Sequence, residues 1–224
     1  MKNKYLKRSH ISEAKFRALT RLFPLDLNGV QITALTGLNK NTVLRVLALA
    51  RARIAGAAEG ESVFSSGEVE VDESYFGPRR VRGRRGRGAG GKTIVFGMKK
   101  RDGKVFTQAV RNCSAATLVP IIKGAVPDGS VIYSDEWKAY DGLVSVGYKR
   151  HYRVRHSGDV FANGRAHVNG IENFWGIAKT RLARLRGVRP AAFYLHLKET
   201  EWRFNHRHEN LYLLLLKMFR DNPL

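Results

Sequence analysis

The sequence predicts an α/β protein in which a small all-α head precedes a mixed β-sheet with flanking helices. Three observations lead to this prediction. Apolar residues recur at helical spacing in residues 10–55, alternate as in strands in residues 68–112, and return to helical spacing from Asn169 onward. A length of 224 residues accommodates a small domain beside a larger one. The expected domains are residues 1–60 and residues 61–224.

The head is predicted to contain a helix-turn-helix. Phe16, Leu19 and Phe23 have the spacing of one helical face, and a second apolar segment covers residues 30–35. In the following stretch, TGLNKNTVLRVLALARARI, Gly37 can form a tight turn before a longer helix. The start of such a second helix enters the major groove of DNA. The residues expected to face DNA are Lys40, Asn41, Thr42 and Arg45, and those expected to face the core are Val43, Leu47, Ala50 and Ile54. The alternative is an ordinary helical hairpin packed on the larger domain.

Five strands are expected after a linker of small residues at 56–67. EVEVDESYF at 68–76, TIVFGMKKR at 93–101 and KVFTQAVRN at 104–112 predict an antiparallel meander, with Asp102-Gly103 as its second turn. A helix at 115–126, kinked or delayed by Pro120, crosses over to a fourth strand at 131–137, and residues 148–156 are a candidate fifth strand. Helices are expected from Asn169, at 191–205 and at 210–220.

The chain is strongly basic, with 40 Lys and Arg against 19 Asp and Glu and a formal charge of +21. Acid-free runs hold ten basic residues at 77–101 and five at 179–189. This distribution favours nucleic acid as a partner, although any one run could be a solvated face. The sequence shows no apolar run of about 18 residues and no signal peptide. The lone Cys113 provides no cysteine-rich zinc site. A cytoplasmic, nucleoid-associated protein without zinc is therefore expected.

The stretch GRGAGGKT at 86–93 matches the phosphate-loop pattern GxxxxGK[ST]. A phosphate loop lies between a buried strand and a helix. Here arginines precede the stretch and a predicted strand follows it, so we expect no nucleotide site. A loop of glycines and arginines can instead follow a nucleic-acid backbone. The residues of this loop and of the later basic run that are expected to contact DNA are Arg79, Arg80, Arg82, Arg84, Arg85, Arg87, Lys92 and Arg186.

Three acids lie at positions in the predicted strands and helix that favour a metal site. Asp72 lies in the first strand, Asp135 ends the fourth, and Glu172 lies in the first turn of the helix from Asn169. If the first and fourth strands are neighbours, these carboxylates can converge, and their repulsion would be relieved by divalent cations. Oxygen ligands suit Mg²⁺ or Mn²⁺, and two such ions can support an in-line phosphoryl displacement. No other cofactor is expected.

Each strand acid also has a non-catalytic interpretation. Asp72 could face solvent on the same side as Glu68 and Glu70, and Asp135 could begin a turn or cap the following segment EWKAY. A shift of one residue in register would exchange the three candidates for their neighbours. Those neighbours are Glu73, Glu136 and Asn173.

Glu172 and Lys179 also have both a functional and a purely structural interpretation. Glu172 has capping-box spacing from Asn169, which a helix start would favour without any metal. Lys179 lies two turns after Glu172 on the same face, and Gly176 between them has no side chain. A DNA strand could pass along this face and contact Lys179 and Arg186. Lys179 could equally be an ordinary surface lysine.

Four segments make the chain resemble the DDE transposases of bacterial insertion sequences, within them the ISXO-like (fifteen-ninety-five) family. These segments are VDESYFG, YSDEWKAY, HVNGIENFWGIAK and RFNHR. The resemblance implies an RNase H-like, integrase-type core in which Asp72, Asp135 and Glu172 form the metal-binding catalytic triad and Lys179 assists. Some relatives use Asn as the third residue, which leaves Asn173 as an alternative. His167 could contact the scissile phosphate or act as a local cap.

The same resemblance implies divalent-metal-dependent cleavage at the ends of an insertion sequence, followed by strand transfer into target DNA. The implied partners are the terminal inverted repeats, the target DNA and at least a second copy of the chain. Many members carry an N-terminal zinc ribbon, which this sequence lacks because Cys113 is its first cysteine. Two other functions stay open: a non-catalytic DNA-binding regulator, and a structure-selective nuclease that uses the same metal site.

Overall fold

The computed structural model describes residues 3–61, 64–77, 92–101, 103–135, 148, 150–154, 168–185 and 187–224. Its elements are α1 (Glu13–Leu22), α2 (Gly29–Thr36), α3 (Lys40–Gly60), β1 (Glu68–Phe76), β2 (Thr93–Lys100), β3 (Val105–Val110), α4 (Ala115–Ala125), β4 (Val131–Asp135), β5 (Arg150–Val154), α5 (Asn169–Ala183), α6 (Pro190–Asn205) and α7 (Leu211–Asp221). The chain forms two compact units, residues 1–59 with 188–224 and residues 60–187. None of the helices in this described part has the length and apolarity that crossing a membrane requires.

The helical unit contains the expected turn between two helices. Asn28 caps α2 in a capping box with Gln31, and α2 ends at Gly37 in the left-handed conformation, with φ 64°. Asn39 then accepts a hydrogen bond from the backbone N–H of Asn41 at 2.9 Å, which caps α3. The predicted core face of α3 is buried, as its four members Val43, Leu47, Ala50 and Ile54 are at most 4% exposed.

The C-terminal helices α6 and α7 belong to this same unit, whereas the sequence grouped them with the sheet. The reason is apolar packing that periodicity does not reveal. The ring of Phe219 meets that of Phe16 edge-on with centroids 6.0 Å apart, and Leu215 and Trp202 are buried in the same cluster. Leu224 makes two backbone hydrogen bonds in this unit. The Lys7 N–H donates to the Leu224 carbonyl, and the Leu224 N–H donates to the Tyr5 carbonyl.

The expected linker at 56–67 begins only at Glu61, five residues later than predicted, because α3 continues to Gly60. Residues 56–60 suggest a linker because four of the five are Gly or Ala. Ala58 is however buried within the helical unit, so its small size serves close packing. The segment RFNHR has a structural function in the same unit. Arg203 donates hydrogen bonds to the carbonyls of Phe23 and Pro24 and pairs with the buried Glu199.

The second unit is built on a five-stranded sheet in the order β3-β2-β1-β4-β5. β1, β2 and β3 form the predicted antiparallel meander. β4 pairs in parallel with β1, and β5 pairs in parallel with β4. Three antiparallel strands followed by two parallel ones, in this order, form an RNase H-like sheet, so the predicted fold class is confirmed.

Helices cover both faces of this sheet. On one face Val69 and Val71 of β1 pack in a cluster with Leu118 and Ile122 of α4. On the other face Glu70 and Asp72 contact α5, which supplies a backbone N–H to the first carboxylate and an indole N–H to the second. The alternation of β1 thus directs its apolar residues to one helix and its acids to the other.

Candidate active site

The parallel pairing of β1 with β4 places two of the three candidate acids side by side. Glu68 is paired with Val131 and Glu70 with Tyr133, and the same offset carried to the end of β4 sets Asp72 beside Asp135. Carboxylate oxygens of Asp72, Asp135 and Glu73 all lie within 4.8 Å of one another. Glu73 therefore joins the pair as an additional acid rather than as a replacement for Asp72.

Glu172 approaches this group from α5 but lies outside the set of oxygens within 4.8 Å in the described part of the chain. Its charge nevertheless acts on Asp72, whose pKa it raises. The side chain of Glu172 is exposed, as is that of the neighbouring Asn173. The third acid thus faces the same edge of the sheet at a larger distance, where a bound cation could draw it in.

The capping-box interpretation of Glu172 does not hold. Helix α5 begins with Asn169 as its first helical residue, and its N-cap is Val168. The backbone N–H of Glu172 donates to the Val168 carbonyl at 3.1 Å, which is the first helical hydrogen bond. Because Asn169 is not the N-cap, the spacing that suggested a cap does not assign the Glu172 carboxylate to that purpose.

The solvent-facing interpretation of the β1 acids is also wrong. Glu70 is 1% exposed and Asp72 is half-buried, because α5 lies over this face of the sheet. Glu68, at the start of the strand, is more exposed and pairs with Arg101. A strand face that alternation alone would assign to water is therefore an interior surface that carries acids.

Trp175 holds Asp72 in place. Its indole Nε1–H donates to Asp72 Oδ2 at 3.0 Å, and the ring is only 3% exposed. The ring lies against β2 at Gly97, the residue paired with Asp72, where an added Cβ would be 2.4 Å from Cζ2 of the indole. Gly97 thus provides the space for a side chain that orients the candidate metal ligand. Neither residue was identified as part of the site from the sequence.

The electrostatics of Asp72 indicate a site that lacks positive charge. Burial, followed by the charges of Glu73, Asp135 and Glu172, raises the pKa of Asp72 to about 7, although a hydrogen bond to the Glu73 backbone opposes this rise. Carboxylates this close together repel one another, and a divalent cation would relieve that repulsion. The donors are all carboxylate oxygens, and they fit Mg²⁺ or Mn²⁺.

This raised pKa predicts a pH-dependent affinity for Mg²⁺. A protonated Asp72 cannot bind the cation, so the apparent affinity should fall by up to about tenfold for each pH unit below 7 and level off above 7. Calorimetric titration with MgCl₂ between pH 6 and pH 8 measures this. Asp72→Asn should bind weakly without that pH dependence, and a wild-type affinity that is flat across this range would contradict the prediction.

The stability of the metal-free protein should change with pH in the opposite direction: it should fall as the pH rises. The folded pKa of Asp72 lies above its ordinary value of 3.8, so the folded state binds the proton more tightly than the unfolded state. Without divalent cations, the contribution of Asp72 to the free energy of unfolding is therefore lost as the pH rises from about 4 to about 7. Added Mg²⁺ should restore stability above pH 7.

The α5 face between Glu172 and Lys179 is open. Both residues are exposed, and a Cβ added to Gly176 between them would have no neighbour within 4 Å among the described residues. Ile177 beside them is 43% exposed. Among the residues that the structure describes, none lies within 4 Å of the predicted path at Gly176. Arg186 and His167 lie outside the described residues.

The residues expected to face DNA from the helical unit are available to solvent. Lys40, Asn41 and Arg45 are exposed at the start of α3, and Thr42 is half-buried. Among the loop residues, Lys92 is half-buried directly before β2. The six loop arginines, Arg79, Arg80, Arg82, Arg84, Arg85 and Arg87, lie outside the described residues.

Comparison with known proteins agrees with this arrangement. The family model described as "ISXO2-like transposase domain" matches residues 65–205. An "Uncharacterized transposase-like protein" of Haemophilus influenzae (strain ATCC 51907 / DSM 11121 / KW20 / Rd) is 40% identical over 121 residues, which are 54% of this chain and 97% of that protein.

Two solved structures show more remote similarity. The "Mos1 Strand Transfer Complex" is 13% identical, with a TM-score of 0.30 over 96% of this chain and 79% of that one. A "pre-cleavage Mos1 transpososome" is 12% identical, also at 0.30, over 94% and 79%. Similarity at this level supports no conclusion about function. The family match covers well over half of the chain, and its residues include both the β1–β4 carboxylates and α5. The chain belongs to the ISXO2-like transposase family.

Proposed function

We propose that this transposase cleaves DNA at the ends of an insertion sequence and joins the freed ends to target DNA, in a reaction that depends on divalent metal. The observation that carries the proposal is the convergence of Asp72, in the middle of β1, and Asp135, the last residue of β4, on two neighbouring parallel strands. The raised pKa of Asp72 supports it, because it marks a carboxylate cluster that a cation would neutralise.

In this proposal Asp72 and Asp135 hold Mg²⁺ or Mn²⁺, and Glu172 completes the site from α5. Bound there, two ions would supply Lewis-acid activation and neutralise charge at the reacting phosphate. Trp175 donates to Oδ2 of Asp72 and so holds the orientation of this carboxylate. Glu73 lies close enough to add negative charge or to serve as a further ligand. Lys179, two helical turns beyond Glu172, would contact a DNA phosphate along the open face of α5.

Recognition of the DNA would use a different unit. We assign Lys40, Asn41, Thr42 and Arg45 to base and phosphate contacts in the element ends, because they lie at the start of the second helix of a helix-turn-helix. The basic loop would contact the backbone without sequence preference. Two ends must be brought together for joining, so the active species would contain at least two copies of the chain, acting on nucleoid DNA in the cytoplasm.

The test uses purified protein, duplexes carrying the inverted repeats that flank the gene, and a supercoiled target plasmid. We expect cleavage at the repeat boundary and covalent joining to plasmid DNA in Mg²⁺ or Mn²⁺, with neither in EDTA. Cleavage without joining would indicate a nuclease. Sequence-specific binding with no cleavage in either metal would indicate a regulator, and either result would overturn the proposal.

The basic loop gives a separate prediction. Replacing Arg84, Arg85 and Arg87 together with Gln should weaken DNA binding and reduce the log–log salt slope by up to roughly 3, since each phosphate contact contributes about 0.9. Fluorescence anisotropy over a range of KCl concentrations measures the slope. A triple variant with the same charge change at exposed positions elsewhere, Arg8, Lys123 and Lys217, is the control. Equal slopes for the two triple variants would show that the loop makes no specific contribution.

The exposed face of α5 leads to a further prediction. Gly176→Ala should raise the free energy of unfolding by about 0.5–1 kcal/mol, because alanine is a better helix former than glycine at an exposed position. It should also lower cleavage by up to about a hundredfold, because the added methyl group would displace the DNA. Gly124→Ala in α4 is matched, since that glycine is also exposed, helical and without neighbours within 4 Å among the described residues. It should stabilise equally and leave cleavage unchanged. Stabilisation of both variants with full activity in both would contradict passage of DNA along α5.

A further inference from the structure

Glu70 is a buried acid that the proposed metal site does not use. It lies on β1 two residues before Asp72, on the same face, and is 1% exposed. Burial of an ionised carboxylate is costly unless hydrogen bonds and opposite charge compensate it. The hydrogen-bond and ion-pair partners of Glu70 therefore indicate the structural function of this buried carboxylate.

Its two oxygens have different partners. Oε2 accepts a hydrogen bond from the backbone N–H of Ile171 at 2.8 Å, and Oε1 lies 3.4 Å from Nε of Arg101. Arg101 is itself fixed, because it pairs with Glu68 at 2.7 Å and lies 3.8 Å from the ring centroid of Tyr133. One oxygen is thus anchored within the sheet and the other reaches the first turn of α5.

Helix α5 lacks a cap of its own. Val168 is its N-cap and provides no side-chain hydrogen bond to the first turn. The first N–H groups of an α-helix have no partner within the helix, so they and the positive end of the helix dipole favour an external acceptor. Glu70 supplies a charged one from a strand 101 residues away in sequence. A carboxylate of the sheet acts where a Ser or Asp N-cap usually does.

The close fit at Gly170 shows that this contact is specific. A Cβ at this position would lie 2.7 Å from Glu70 Oε2 and 2.9 Å from Nζ of Lys99. The absence of a side chain at Gly170 thus lets the carboxylate reach the helix end. The residue after Ile171 is Glu172, so the helix turn that Glu70 holds is the turn that carries the third candidate acid.

We propose that Glu70 is a positioning residue that sets the distance of Glu172 from Asp72, and that it is not itself a metal ligand. β1 carries Asp72, and Glu70 on the same strand fixes the first turn of the helix that carries Glu172. The candidate ligands from strand and helix are then linked by one hydrogen bond. This inference rests on the proposed function only in so far as Glu172 serves the metal site.

The first measurement is amide hydrogen exchange in the full-length protein. In Glu70→Ala, exchange at Ile171 should be at least about tenfold faster than in the wild type, because its acceptor is gone. Glu70→Gln, which keeps an acceptor oxygen, should lie between the two. Glu68→Gln is the matched control, since Glu68 also pairs with Arg101, whereas the acceptor of the Ile171 N–H is Glu70. Unchanged exchange at Ile171 in folded Glu70→Ala would overturn the inference.

The second measurement is the Mg²⁺ concentration for half-maximal DNA cleavage. Loss of a group that orients a metal ligand typically costs 10–100-fold, so Glu70→Ala should need about tenfold more Mg²⁺, with Glu70→Gln less affected and Glu68→Gln unchanged. If Glu70→Ala does not fold, Gly170→Ala disrupts the same contact from the helix side and should show the same shift. Faster exchange with unaltered metal dependence would make the contact merely structural and refute the positioning role.

The two measurements separate the two proposals. A wild-type protein that never cleaves DNA refutes the proposed function, and hydrogen exchange then decides whether Glu70 caps α5. A wild-type protein that cleaves DNA, beside a folded Glu70→Ala with the same metal dependence, refutes the inference alone.

Discussion

Asp72→Asn should reduce Mg²⁺-dependent cleavage by well over a hundredfold while leaving DNA binding within about twofold of the wild type. The exchange keeps the size of the side chain and still offers an oxygen to Trp175 Nε1, which donates to Asp72 at 3.0 Å. It removes one of the charges that would hold the metal. Loss of a group that only orients a metal ligand costs about 10–100-fold, so loss of a ligand should cost more.

The stability of this variant distinguishes loss of chemistry from loss of fold. The folded pKa of Asp72, about 7, means that its charge is unfavourable in the metal-free protein at neutral pH. Asp72→Asn should therefore melt at the same temperature as the wild type or higher when EDTA is present. It should also lose the rise in melting temperature that Mg²⁺ gives the wild type.

Asp128→Asn is the matched control. Asp128 is exposed and precedes β4, whereas Asp135 ends that strand, so the same charge is removed at its opposite end. It should retain full cleavage and the response to Mg²⁺. Equal cleavage by Asp72→Asn and Asp128→Asn would show that the carboxylate cluster does not serve the reaction and would contradict the prediction.

The strands, most helix boundaries and the meeting of Asp72 with Asp135 could be predicted because they depend on local pattern. Alternation identifies strands, and acids that are level with each other on two neighbouring strands lie side by side. The unit to which α6 and α7 belong could not be predicted in this way. Helical spacing shows that a helix has an apolar face but does not show which partner covers it.

The contacts that orient the site could not be predicted either, because the sequence does not show which element packs on which face. Alternation places Glu70 and Asp72 on one face of β1, but only the position of α5 reveals that this face is buried. The donors to these two acids are 101 and 103 residues away in sequence. Trp175 is a buried core residue, yet its N–H also donates to Asp72, a function that apolar periodicity does not detect.

The same geometry makes Gly97→Ala the most disruptive small change in the sheet. A Cβ at Gly97 would lie 2.4 Å and 2.6 Å from Cζ2 and Cη2 of Trp175 and 3.1 Å from Cδ1 of Ile171. The indole cannot easily retreat, because Phe76 and Phe174 pack against it with centroids 5.9 Å and 5.1 Å away. Overpacking of this kind costs about 3 kcal/mol, and urea unfolding should show a loss of that size.

Activity should fall further than stability accounts for, since a displaced indole no longer donates to Asp72. A compensating change separates the two effects. Phenylalanine in place of Trp175 has a smaller ring and no donor, so Gly97→Ala combined with Trp175→Phe should recover most of the stability and little of the cleavage. Trp175→Phe alone should remain folded and cleave poorly, with a raised requirement for Mg²⁺. Because Gly97 and Trp175 touch, their stability effects must be non-additive. Additive losses in the double variant would mean that the glycine does not serve to admit the ring.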